Sequence, residues 1–152
     1  MAGAGLMWIM GYRFFALVLL MWFTQAVPAE IITQTSTVRG VTVAATAGNL
    51  SPEASVWDFA VVLSSTGKAL PDDLVKSAVL VDPQGRQYKA LIWEGAPHSG
   101  THRAGVLKFI AIKPRPDRFE LRIKRPGESR PRSFGWFLST GLMASADERR
   151  TP

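Results

Sequence analysis

Hydrophobic and polar positions alternate with a period of two along most of this chain, most sharply over residues 56–63. There Trp57, Phe59, Val61 and Leu63 fall on one face, and Val56, Asp58, Ala60 and Val62 on the other. Such alternation, rich in aromatic and β-branched residues, predicts a β-strand. One face is large and apolar and the other small and mixed, which suits a central strand whose heavy face meets an opposing sheet.

The same pattern predicts six further strands. In the first, over 37–46, Val41, Val43 and Ala45 alternate with Thr42 and Ala44, and Gly40 marks a bulge. Residues 78–81 and 86–94 form a hairpin around Asp82-Pro83-Gln84-Gly85, whose proline and glycine suit a type I turn. Strands follow over 106–112, 118–124 and 134–138. Over 118–124, Phe119, Leu121 and Ile123 face inward, and Glu120, Arg122 and Lys124 outward. Between the second and third strands, Leu70-Pro71-Asp72-Asp73-Leu74 predicts a single helical turn capped by an aspartate. Seven short strands with turn signals between them predict an all-β, seven-stranded antiparallel β-sandwich, with a partly open barrel as the competing architecture.

The N-terminus has a different character. Arg13 precedes an apolar run over 14–23, then polar Thr24 and Gln25, then Ala26-Val27-Pro28-Ala29. A basic residue, about ten apolar residues and a small-residue exit make a secretory signal peptide, with cleavage after Ala29. The run is shorter than the roughly 20 apolar residues of a membrane span. An uncleaved anchor is the alternative, because residues 6–11 are also uncharged, and Met10 is an alternative start. The organisation is therefore a leader over 1–29, a lead-in over 30–36, one β domain over 37–139 and a tail over 140–152. Export implies a periplasmic or extracellular place, with membrane association if the leader stays. Cysteine is absent, which excludes thiolate metal sites, cysteine catalysis and a lipid-bearing cysteine.

Charge singles out one segment. The first 29 residues hold one basic residue, Arg13, and no acidic ones, which leaves 17 basic against 12 acidic residues in the rest. Within residues 113–132 stand Lys113, Arg115, Arg118, Arg122, Lys124, Arg125, Arg130 and Arg132 against Asp117, Glu120 and Glu128. The remainder is balanced. One strand and its two flanking loops therefore carry the excess, and Arg115, Arg122, Lys124, Arg130 and Arg132 are candidates for one basic edge. Such an edge meets an acidic protein, an anionic lipid surface or a polyanionic glycan. Its plainer reading is a charged edge that keeps strands from aggregating. Nucleic acid fits export poorly, and the aromatics here point inward rather than forming a stacking platform.

Both histidines of the chain, His98 and His102, lie in the loop 95–105, with Glu94 just before it. Two imidazoles and a carboxylate are candidate ligands for copper or zinc, against the reading of a solvated glycine-rich loop. No nucleophile elbow, metalloprotease helix or paired-carboxylate arrangement appears, so the sequence points away from an enzyme. Trp57, Trp93 and Trp136 fall in three separate strands and read as core residues.

Several stretches carry a resemblance: Leu80-Val81-Asp82-Pro83-Gln84-Gly85-Arg86-Gln87-Tyr88, Trp93-Glu94-Gly95, His102-Arg103-Ala104-Gly105-Val106-Leu107-Lys108-Phe109 and Phe119-Glu120-Leu121-Arg122-Ile123. Together, over residues 57–136, they resemble an exported bacterial immunoglobulin-like domain family, largely of unknown function. The resemblance implies an immunoglobulin-like sandwich in the envelope and draws Arg103 into the candidate surface beside the histidine loop. Thr101 stands where such relatives carry a denser histidine pair, which weakens a carried-over metal site. The expectation is a non-catalytic binding or accessory module that recognises an envelope protein or anionic surface through its Gly/His loop or basic edge. The alternative is a periplasmic copper- or zinc-binding protein using His98 and His102.

Overall fold

The structure is a computed structural model, and it describes residues 32–97 and 99–138. The leader, the tail and His98 lie outside the described residues. Among the described residues eight antiparallel strands run β1 (Thr33–Val38), β2 (Val41–Ala47), β3 (Val56–Ser65), β4 (Ala78–Val81), β5 (Gln87–Gly95), β6 (His102–Ile110), β7 (Arg118–Ile123) and β8 (Arg132–Phe137). One helical turn, α1 (Leu74–Ser77), precedes β4, and Asp73 caps it by accepting from Lys76 N at 3.3 Å. The all-β antiparallel class and the capped turn are as the sequence predicts.

The strand number is corrected from seven to eight. The segment expected to be one strand over 37–46 is a hairpin of β1 and β2, and β1 takes in most of the expected lead-in. Arg39 and Gly40 both have positive φ, 50° and 76°, between the paired Val38 and Val41. That is the two-residue mirror-image turn that matches strand twist, rather than a bulge. No side chain of β1 is fully buried, so β1 carries no hydrophobic alternation to read. It is held instead by its backbone ladder to β2 and by hydroxyl pairs such as Thr37–Thr42 at 2.8 Å.

All eight strands belong to one sheet, in the order β1-β2-β3-β6-β5-β4-β7-β8. Strands β4, β5 and β6 are joined in hairpin order, and β7 returns to lie beside β4, which is a Greek key. The sheet curls until β1 and β8 approach each other, so the shape is nearly a barrel whose two halves face one another across the core. The inner face of β3 supplies Trp57, Phe59, Val61 and Leu63, all buried. Phe119 and Trp136 meet it from the other half: Trp57 to Phe119 is 5.1 Å between ring centroids, and Phe59 to Trp136 is 5.4 Å. Tilted and edge-on pairs at these distances add roughly 1 kcal/mol each beyond burial.

Three arginines close one end of this barrel. Arg103 precedes Gly105, Leu107 and Phe109 on the inward parity of β6. Arg125, two residues past the end of β7, continues the parity of Phe119, Leu121 and Ile123, and Arg132 begins the parity of Phe134 and Trp136 on β8. The pleat that buries the apolar residues therefore aims these guanidinium groups inward as well. All three are buried, beside Leu70 and Leu74 from the crossover between β3 and β4.

Candidate functional site

The loop between β5 and β6 is shorter than expected, because His102, Arg103, Ala104 and Gly105 belong to β6. Arg103 has no solvent exposure. Its Nη1 donates to Leu70 O at 3.2 Å and Asp72 O at 2.7 Å, and its guanidinium lies 5.6 Å from the centre of the Trp93 ring. Arg103 therefore ties the crossover to β6 from inside the barrel, where its buried Nε has no hydrogen-bond partner among the described residues. That corrects its expected place on the recognition surface.

Glu94 and His102 are exposed on the outer face but do not converge. Glu94 is opposite Val106 in the β5–β6 pairing and forms an ion pair with Lys108 at 2.8 Å. His102 lies four residues back along β6, roughly 13 Å at the usual strand rise. Among the described residues no group of three His, Asp or Glu side chains could hold a metal ion.

The basic segment divides into an inner and an outer set. Inside, Arg125 Nε donates to Asp72 Oδ1 at 2.7 Å and its Nη2 to Asp72 Oδ2 at 3.0 Å, with Asp72 fully buried. Arg125 also reaches Glu128 at 3.1 Å, and Glu128 accepts from Arg132 Nη2 at 2.5 Å and Nε at 3.0 Å. Arg132 then donates to Ser36 O at 2.7 Å, Val41 O at 2.9 Å and Val38 O at 3.3 Å. The hydrogen bond from Arg132 is the main reason the Glu128 carboxyl is held below its ordinary range, and Arg125 adds to it against the opposing effect of burial. Arg132, expected on the basic edge, is thus an internal clamp on the β1–β2 hairpin.

Arg115, Arg122, Lys124 and Arg130 remain at the surface. Arg115 donates to Leu50 O at the far end of the barrel, away from the others. Arg122 pairs with Glu120 at 2.9 Å, and Lys124 Nζ donates to Ser129 O at 2.7 Å. A groove of about 590 Å³ runs between α1 and the β7–β8 turn, where Lys76, itself paired with Asp73 at 3.2 Å, meets Arg122 and Lys124 between the apolar walls of Pro71, Val79, Pro126 and Pro131. Around the turn, a second groove of about 340 Å³ brings Arg130 beside Arg39. Lys76 and Arg39 lie far from the basic segment in sequence, and only strand pairing brings them to it.

Comparison of the chain with protein family models, with curated proteins and with solved structures found no match.

Proposed function

We propose that this protein is a non-catalytic binding or accessory module of the cell envelope, and that it takes an acidic segment of a partner protein in the groove beside β7. The observation that carries this reading is the convergence of Lys76 from α1 with Arg122 and Lys124 from the end of β7 on one concave, proline-walled surface. Solvent-facing cations along a concave surface favour a protruding anionic ligand, and they speed its encounter more than they add raw affinity. A groove suits a protruding segment better than a flat bilayer. Placement outside the cytoplasm rests on the leader pattern over 1–29. The immunoglobulin-like affiliation belongs to the same proposal, supported by the Greek key, which most β-sandwiches share.

The test is cross-linking in the native envelope with the wild type and with Arg122→Glu plus Lys124→Glu. The reading expects a defined partner that is lost in the double variant and released by raised salt. Unchanged cross-links, or equal sedimentation of both proteins with phosphatidylglycerol vesicles, would overturn it. Export is tested by the intact mass of the mature protein, expected to begin at Glu30.

A further inference from the structure

The seam between β1 and β8 holds an unusual substitute for strand pairing. Among the described residues each strand has a backbone partner on one side only, β2 for β1 and β7 for β8. Across the gap, the Gln34 side-chain amide accepts from Gly135 N at 3.1 Å and donates to Gly135 O. One amide thus exchanges both bonds with one residue, as the peptide groups of a neighbouring antiparallel strand would. Because backbone groups alternate in direction, Ser133 and Phe137 share the open edge with Gly135. Phe137 is 82% exposed at one end of this edge. At the other end the groove with Arg39 and Arg130 opens.

We propose that this seam is a strand-addition site for an extended, acidic segment of a partner protein. The entering segment displaces the Gln34 amide and pairs with the free edge of β8. Main-chain bonds to Ser133, Gly135 and Phe137 supply its register, and contacts with Arg39 and Arg130 select acidic side chains. A new strand needs about 10 Å between β1 and β8, two strand spacings. Among the described residues that opening breaks side-chain bonds and no strand ladder: those of Gln34 to Gly135, of Arg132 to Ser36 O and Val38 O, and of the Trp136 indole to Ile32 O at 3.3 Å. The proposal rests on the binding-module reading but not on the groove beside β7.

The test uses two capped octapeptides, (Glu-Val)4 and (Lys-Val)4, with amide NMR of the described domain in the full exported chain. The expected result is saturable shifts and slowed exchange at Ser133, Gly135 and Phe137 with the acidic peptide alone. Gln34→Ala is expected to tighten binding roughly fivefold, the order for removing one hydrogen-bonded competitor. Gly135→Pro is expected to abolish binding while the β7 ladder survives, because the lost N–H faces the open edge. Ser133→Pro removes a second edge donor should the first variant not fold. Equal response to both peptides, weaker binding in Gln34→Ala, or binding that survives both proline variants would overturn the proposal. Self-association of Gln34→Ala without peptide would also overturn it, by making a second copy the occupant. Arg122→Glu plus Lys124→Glu should leave peptide binding at the seam unchanged, so the two surfaces fail separately.

Discussion

Gly95 and Gly105 stand opposite each other in the β5–β6 pairing with no room for a side chain between them. A Cβ on Gly95 would lie 2.5 Å from the Gly105 Cα and 2.8 Å from Trp93 Cζ2, and a Cβ on Gly105 would meet the same ring at 2.7 Å. The two glycines let Trp93 lie across the strands, where its ring receives the Arg103 guanidinium. Gly105→Ala should therefore destabilise the fold by about 3 kcal/mol, because the clash is with backbone and cannot be relieved by a rotamer change. Urea unfolding checks this, and a loss within the usual surface range would show that the strands yield easily.

Glu128 gives the barrel end a defined pH response. Its carboxyl titrates lower in the folded protein than the ordinary 4.5, first through the hydrogen bond from Arg132. A depressed carboxyl contributes stability that is fully present above the unfolded value and lost as pH falls through the folded one. Glu128→Gln should cost about 2 kcal/mol at neutral pH and flatten the acid side of the stability profile. Urea midpoints from pH 7 to 3 measure it. Part of the acid slope should survive at Asp82, where burial favours the neutral form but hydrogen bonds from Arg86 and Tyr88 outweigh it and hold the carboxyl low.

Arg132→Met should loosen the β1–β2 hairpin before anything else. It deletes three bonds to the carbonyls of Ser36, Val38 and Val41 and leaves Glu128 with Arg125 alone. A loss of about 3 kcal/mol is expected. Hydrogen exchange should show protection falling in β1 while the amides of β3 keep theirs.

Glu94→Gln should not change any affinity for copper or zinc. The carboxylate is held by Lys108 and sits four strand residues from His102. Titration calorimetry of the wild type, Glu94→Gln and His98→Ala plus His102→Ala decides the point. Weaker binding in Glu94→Gln alone would show that the pair with Lys108 opens for a metal.

Much of the core was legible because it follows from parity. The residues Trp57, Phe59, Val61 and Leu63 were readable as one face, and they do meet Phe119, Leu121, Ile123 and Trp136. The strand β1 was not legible, since an edge strand with no buried side chain leaves no hydrophobic pattern. The buried arginines show the same rule applied too narrowly. Arg125 and Arg132 each sit two residues from an inward apolar position, and Arg103 shares the parity of Leu107 and Phe109, so the alternation already pointed them into the barrel. Residue type argued for the surface, because a buried guanidinium is costly unless its donors are satisfied. Whether they are satisfied depends on Asp72, Glu128 and backbone carbonyls that lie up to 96 residues away in the chain.

The sequence by itself determined the all-β class, the inward face of most strands and the turn at Asp82 to Gly85, because these follow from side-chain alternation and local backbone preference. Tertiary structure alone decided the eighth strand, the near-closure of the sheet, the buried guanidinium network and the meeting of Lys76 with Arg122 and Lys124. Those features depend on which strands pair, and pairing is a matter of contacts between residues that no local pattern links.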